Sequence, residues 1–515
     1  MMFRAFLTFA SILAVIGATL IVAGCSFNLP KNNAQPSTAL SPAIAGQLAQ
    51  AVDEMQTAHP GQSGIAPLAR GADAFAARML LADAATRSID VQYYIWRGDL
   101  TGYLLLDRLR QAADRGVRVR LLLDDHGTSG LDAEIAALQA HPQIEVRLWN
   151  PFNLRRFKMA SYSFDFFRLN RRMHNKSFTV DGQASVVGGR NVGDEYFSTG
   201  LTPLFVDLDV LLVGAIVPEI SADFDRYWNS PSAYPAQQIV AAGQAGDPIG
   251  QALEQLNGTG QMAEYRALLQ RSDLVARLAA GTLDLEWTKV ALVSDDPAKG
   301  QGAIASDRLL SGRMGKAVGS IERQFDGASA YFVPGAGGAK AFTDLEQRGV
   351  QVRMLTNAME STDVLPVHAG YAKRRKQLLE GGVELFELRR QAAPDSPMKK
   401  LGPFGSSGAS LHAKTFAVDG QRIFIGSFNF DPRSAMLNTE MGVLIDSERL
   451  ASGLHQAFDS ELGGIAWQVE LRDGQLVWAE PYAEDQPVLT KEPGSSLLRN
   501  MAIKVIGWLP VEWLL

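Results

Sequence analysis

The stretch Arg171-Arg172-Met173-His174-Asn175-Lys176-Ser177-Phe178-Thr179-Val180-Asp181-Gly182 decides how this chain is read, because it occurs twice. The second copy is Leu411-His412-Ala413-Lys414-Thr415-Phe416-Ala417-Val418-Asp419-Gly420. Each copy is His-x-Lys, four residues, Asp-Gly, and then an apolar run ending in Gly-[Gly/Ser]-x-Asn, at Gly188 to Asn191 and at Gly426 to Asn429. On a strand, residues two apart share a face, so His174 and Lys176 point the same way. Asp-Gly between apolar runs is a strong signal for a two-residue hairpin turn. Counting back from that turn sets His174 opposite Gly189 and His412 opposite Ser427, with Asn191 and Asn429 one step further on the same face. Each copy then presents an imidazole, an ammonium and a carboxamide together, a small anion-binding face with a nucleophile in it. A single His-x-Lys would read as an ordinary surface strand. Two copies with identical spacing point to chemistry.

Working outward, the pattern around each copy repeats as well. Helical periodicity over 71–87 leads to a strand at 88–96, that over 103–115 to 117–123, and that over 131–139 to 144–149. Alternating strands and helices imply a mostly parallel sheet covered on both faces. In the second half, 329–333 takes the place of 91–95, 349–355 matches 116–122, and 440–445 matches 207–212. A duplicated α/β domain follows. Neither half holds a full acid/base pair, so the two motifs must face each other across a pseudo-two-fold interface.

At 515 residues and 46% hydrophobic content the chain is long enough for two or more cores. A formal net charge of −6 weighs against a general nucleic-acid binder. The single cysteine, Cys25, permits no intramolecular disulfide. It follows an apolar N-terminal run and closes Val22-Ala23-Gly24-Cys25, so residues 1–25 read as a lipoprotein signal with Cys25 lipidated, an uncleaved membrane helix being the alternative. This implies a bacterial cell-envelope protein anchored at a membrane and facing the periplasm. The remaining divisions are a tether at 26–58, a first half at 59–231, a helical connector at 232–285, a second half at 286–490 and an apolar tail at 491–515. The tail carries Trp508 and Trp513 and reads either as an interfacial anchor or as a segment packed on the body.

The two motifs resemble the signature of the phospholipase D superfamily, His-x-Lys-x4-Asp-x6-Gly-Ser-x-Asn in duplicate. Its bacterial cardiolipin synthase branch, the C-type enzymes in particular, is the nearest likeness, carried by 169–176, 187–191 and 408–414. The resemblance implies two tandem α/β/α sandwich halves with the active site at their interface. It also implies a phosphatidyltransferase acting on phospholipids such as phosphatidylglycerol, with phosphatidylethanolamine as an alternative donor, needing no cofactor or metal. Hydrolytic phospholipase D and nuclease activities are the alternatives within the superfamily. One imidazole attacks phosphorus and the other serves as acid and base. The resemblance assigns these roles to His174 and His412 in that order, though near-symmetry leaves the reverse open. Lys176, Lys414, Asn191, Asn429 and Ser427 are candidates to hold the phosphate. Glu440 and Asp207 are candidates to orient the histidines, with Asp209 a competitor. Asp181 and Asp419 complete the catalytic motif in sequence, and read as turn residues more than proton carriers. Gly189 departs from the pattern, standing where the second copy has Ser427.

Overall fold

Each His-x-Lys segment runs straight into the hairpin that its Asp-Gly demands, and both halves are built on that hairpin. The computed structural model describes residues 28–197, 205–242, 246–390, 410–482, 488–508 and 512–515. In the first half the strands are β1 (Ser63–Leu68), β2 (Ser88–Ile95), β3 (Arg118–Gly127), β4 (Ile144–Trp149), β5 (Ser177–Val180), β6 (Ala184–Gly188), β7 (Phe205–Val206), β8 (Asp209–Gly214), β9 (Ala233–Pro235) and β10 (Glu286–Thr288). The second half has β11 (Val290–Ser294), β12 (Gln324–Ser329), β13 (Gln351–Asn357), β14 (Glu384–Leu388), β15 (Ser410–Leu411), β16 (Lys414–Val418), β17 (Arg422–Gly426), β18 (Met441–Asp446), β19 (Ala466–Arg472) and β20 (Gln475–Ala479). The two large sheets run β10-β1-β8-β6-β5-β2-β3-β4-β9 and β11-β18-β17-β16-β12-β13-β14-β19-β20. From β8-β6-β5-β2-β3-β4 to β18-β17-β16-β12-β13-β14 the order is the same, which is the duplication in three dimensions. The chain crosses from one sheet to the other at Lys289.

The sheets are mixed rather than mostly parallel. Among the described residues of these two sheets only β2-β3-β4 and β12-β13-β14 pair in parallel, while each motif hairpin and the strands beyond it are antiparallel. The short Asp-Gly turns enforce this, since a parallel pair needs a long crossover. The turns form as expected: Asp181 and Gly182 both lie at positive φ, as do Asp419 and Gly420, and Gln183 N and Gln421 N donate to Val180 O and Val418 O. Yet the paired positions are Val180↔Ala184 and Val418↔Arg422, so one further residue, Gln183 or Gln421, is left out of the pairing. That extra residue moves the register by one and removes the expected facing of His174 with Gly189 and of His412 with Ser427. The strand expected at 329–333 lies earlier, at Gln324–Ser329. Buried Asp326 disguises it: its carboxylate is held by Arg353 (2.8 and 2.7 Å) and His455 (2.5 Å).

Between the sheets lies a shared core, with Ile65, Val187 and Leu212 from the first half and Ala417, Ile425 and Val443 from the second. Outer helices bury the other faces. Residues 28–58, expected as a tether, lie on the first half. Ser37 accepts from Trp228 Nε1 (2.8 Å), Gln35 O from Arg147 (2.5 Å) and Ala43 O from Gln183 (2.7 Å), and α1 (Gln47–Ala58) buries Leu48 and Val52 in a second core, the first half's own. The 232–285 segment also packs into that core through Ile249, Met262, Tyr265 and Leu278, and so belongs to the first half rather than linking two bodies. Cys25 and the rest of the proposed signal fall outside the described residues.

Asp181 and Asp419 stand at the far ends of the hairpins from the histidines. Asp181 is buried and accepts from Thr86 N, Thr86 Oγ1, Arg87 N and Ser88 N at 2.8–2.9 Å, while Asp419 accepts from Glu322 N, Arg323 N and Gln324 N. They pin the strand entering β2 or β12 to the motif hairpin, a structural turn role away from the histidines. Asp181→Ala, which orphans several donors, is expected to destabilise the fold by about 3 kcal/mol. Activity per folded molecule should remain, and thermal unfolding beside active-fraction-corrected rates checks both.

Candidate active site

The histidines sit where each half reaches across to the other. His174 N donates to Thr439 O (2.8 Å) and Thr439 N donates to Arg172 O (2.9 Å), so the residues before Lys176 pair with the second half. Reciprocally β15 pairs in parallel with β7, and His412 N donates to Val206 O (2.7 Å). Backbone pairing thus brings each histidine to a carboxylate of the opposite half. His174 Nδ1 lies 2.7 Å from Glu440 Oε2, and His412 Nδ1 lies 2.5 Å from Asp207 Oδ2. Asp209, the competitor, is taken by Arg78 (2.8 Å).

With Nδ1 held by a carboxylate, Nε2 is the ring nitrogen on the far side of each imidazole from that carboxylate. Tyr94 meets His174 edge-on at 5.0 Å and Tyr196 meets His412 edge-on at 5.2 Å, fixing the ring planes. Lys176 Nζ donates to His174 O (2.5 Å), and Lys414 Nζ donates to His412 O and lies 3.0 Å from His412 Nδ1. Asn191 and Asn429 are both buried. Asn191 Oδ1 accepts from Ile95 N at 3.2 Å, and Asn429 Oδ1 has no hydrogen-bond partner among the described residues.

Burial together with the two ammonium groups drives the imidazoles down, His412 to about 4 and His174 well below its ordinary value. Lys176 and Lys414 are themselves lowered, by burial first. The site is buried and sets two ammonium groups beside the imidazoles, and an anionic phosphodiester entering it would raise the proton affinity of both rings. The two carboxylates differ. Burial pushes Glu440 up to about 7 against the pull of Lys176 and Ser427, whereas for Asp207 His412, Lys414 and Arg190 outweigh burial and hold it below its ordinary value.

That asymmetry explains the departure at Gly189. Ser427 Oγ donates to Glu440 Oε2 (2.5 Å) and accepts from Met441 N (3.0 Å), so it braces the carboxylate. In the other half a Cβ on Gly189 would lie 2.1 Å from Asp207 Oδ1. Asp207 fills the space that a serine would need.

Because Glu440 is raised from 4.5 to about 7, its stabilising contribution is complete below pH 4.5 and is lost as pH rises to about 7. Glu440→Gln is expected to flatten that part of the stability profile, which thermal midpoints of both proteins between pH 4.5 and 7 test.

Several residues outside the two motifs position the site. Asp124 Oδ2 accepts from Met173 N (2.8 Å) and Asp124 Oδ1 from Arg172 (3.0 Å). At the equivalent place Asn357 takes both backbone groups of Leu411, at 2.8 and 2.9 Å. Each clamps the residue just before a catalytic histidine. Asp295 accepts from Glu440 N (2.9 Å). Only the ends of the aligned strands β3 and β13 hinted at Asp124 and Asn357. The basic region flanking the first motif is largely internal: Arg155 and Lys158 pair with Asp125, Arg172 with Asp124, and Arg171 binds carbonyls of Lys299, Gly302 and Met436. A further buried histidine, His368, lies against Glu492 of the tail (2.7 Å).

Comparison with known proteins agrees with this geometry. The family described as "Cardiolipin synthase, PLD-like domain" matches residues 80–228 and 316–462, one match per half. The chain therefore belongs to the phospholipase D superfamily, as an enzyme of the phosphatidyltransferase type. Within it, the chain lies in the cardiolipin synthase branch. It is 47% identical over 472 residues to cardiolipin synthase C of Escherichia coli, covering 91% of this chain and 100% of that protein. It is 24% identical over 379 residues to a cardiolipin synthase of Staphylococcus aureus, covering 73% of this chain and 63% of that protein. Among solved structures, the phosphatidylserine synthase of Haemophilus influenzae shares the fold, with a TM-score of 0.56 at 15% identity over 90% of this chain and 100% of that one.

Proposed function

We propose that this protein makes cardiolipin, transferring a phosphatidyl group from a donor phospholipid to a hydroxyl of phosphatidylglycerol through a covalent phosphohistidine. The observation that carries the proposal is the pair of buried histidines, each held at Nδ1 by a carboxylate of the other half. Neutral His174 attacks phosphorus through Nε2, and the bond from phosphorus to the donor headgroup oxygen breaks. His412, protonated in the presence of the phosphodiester, gives its Nε2 proton to that leaving oxygen. Phosphatidylglycerol then loses its hydroxyl proton to His412 and attacks phosphorus, and the phosphorus–nitrogen bond breaks. With phosphatidylglycerol as donor the products are cardiolipin and glycerol; with phosphatidylethanolamine they are cardiolipin and ethanolamine. Lys176, Lys414, Asn191 and Asn429 hold the non-bridging oxygens. The body is tied to a membrane of the bacterial cell envelope through the N-terminal segment and a lipidated Cys25.

The test is the lipid extract of cells without their own cardiolipin synthases that express this protein or its His174→Ala variant. New cardiolipin with the intact chain and none with the variant is expected. Phosphatidic acid in place of cardiolipin would make water the acceptor, and an unchanged lipid profile would overturn the lipid assignment.

A further inference from the structure

The C-terminal tail is clamped to the body at both ends while its outer side is left apolar and uncovered. The clamp is α3 (Leu365–Glu380): His368 and Arg375 hold Glu492, each at 2.7 Å, and Lys373 and Arg374 hold Glu512 at 3.0 and 3.4 Å. Between these points α4 (Leu497–Trp508) lies along α3 with Ile503 and Ile506 half-buried. Leu498, Met501, Val505 and Trp508 recur at spacings of three and four on the opposite side, and all are exposed, Trp508 by 87%. A helix apolar on both sides needs a second apolar surface.

A second uncovered apolar group, Phe157, Met159 and Phe167, is 72%, 71% and 76% exposed on the first half, Phe167 lying in α2 (Tyr162–Leu169). One residue ties the chain end beyond α4 to the segment that follows α2. Arg433 N and Nε donate to Leu515 O and Leu514 O (both 2.9 Å), and its Nη1 donates to Asn170 O (3.1 Å), the residue that follows α2. Asn170 stands four residues before His174.

We propose that the outer side of α4 and the Phe157-Met159-Phe167 group together form a face that docks on an anionic phospholipid bilayer beside the active-site entrance. The charges fit that occupant. Across 497–508 the only charged residues are Arg499 and Lys504, both exposed, and exposed Arg156 immediately precedes Phe157 of the other group. Basic residues flanking an apolar helix face favour a negatively charged lipid surface. This deepens the proposed function: a lipid whose phosphate must reach buried His174 has to leave the bilayer beside the site.

The test uses the full chain reconstituted in phosphatidylglycerol vesicles, where the N-terminal segment keeps every variant membrane-attached. Trp508 emission, isolated by difference from Trp508→Phe, should be quenched by acyl-brominated lipid and shielded from aqueous iodide. The triple variant Leu498→Glu, Met501→Glu, Val505→Glu should lose at least tenfold of its phosphatidyl transfer on vesicles, yet stay within twofold on dispersed short-chain phosphatidylglycerol. Quenching of Trp508 by iodide alone overturns the proposal, as does a triple variant equally active on vesicles. Shielding of Trp508 from both quenchers that depends on protein concentration would assign the face to a second copy and also overturns it. Lipid quenching of Trp508 without any transferase activity would keep the docking face and reject the proposed reaction.

Discussion

Gly189→Ser, the substitution that gives both motifs the same residue, is expected to lower activity about 10²- to 10⁴-fold, the range seen when the carboxylate behind a catalytic histidine fails in its role. The serine Cβ would fall 2.1 Å from Asp207 Oδ1, and the backbone there is fixed because Gly189 N donates to Leu208 O. Asp207 must turn away, and His412 loses both its orientation and the charge that stabilises its protonated form. The reverse change, Ser427→Gly, removes a hydrogen bond from Glu440 but creates no clash, so its cost should stay near tenfold, about the worth of one hydrogen bond to a charged group. Steady-state transfer rates of the two variants check the order. Equal losses in both would mean that the serine position, and not the space around Asp207, matters.

Asp207→Asn is expected to cost about 10⁴-fold in turnover, because the amide keeps the volume but favours the wrong imidazole tautomer. The loss falls on His412, in the opposite half, and not on the histidine of the half that carries Asp207. His174 keeps Glu440 and stays able to attack. A substrate whose leaving group departs without a proton should therefore recover most of its first step in Asp207→Asn. It should recover none in Glu440→Gln, where His174 has lost its partner.

Much of this site could be read from the chain alone. The duplicated His-x-Lys, the Asp-Gly turns and the carboxylates Glu440 and Asp207 are local or repeat-aligned features, and repeats expose positions that a single copy hides. What was illegible depends on contacts distant in sequence. No local signal tells that Thr439 and Val206 receive the backbone N–H groups of His174 and His412, or that Asp124 and Asn357 clamp the residues before them. The one-residue bulge at Gln183 and Gln421 escaped because the turn itself is the expected one and only the pairing beyond it shifts. Residues 28–58 read as a tether because their polar and proline-rich composition resembles one, yet Arg120 and Arg147 hold their backbone carbonyls and Trp228 holds the Ser37 hydroxyl.

The central claim, a covalent intermediate on one half that is resolved by the other, can be trapped. The His412→Ala variant, mixed with a phosphatidyl ester of p-nitrophenol and quenched, should release a stoichiometric burst of p-nitrophenolate. It should then carry acid-labile phosphatidyl on the peptide containing His174, and His174→Ala should show neither. A His412→Ala protein that gives no burst, or a label on any other residue, would contradict the account.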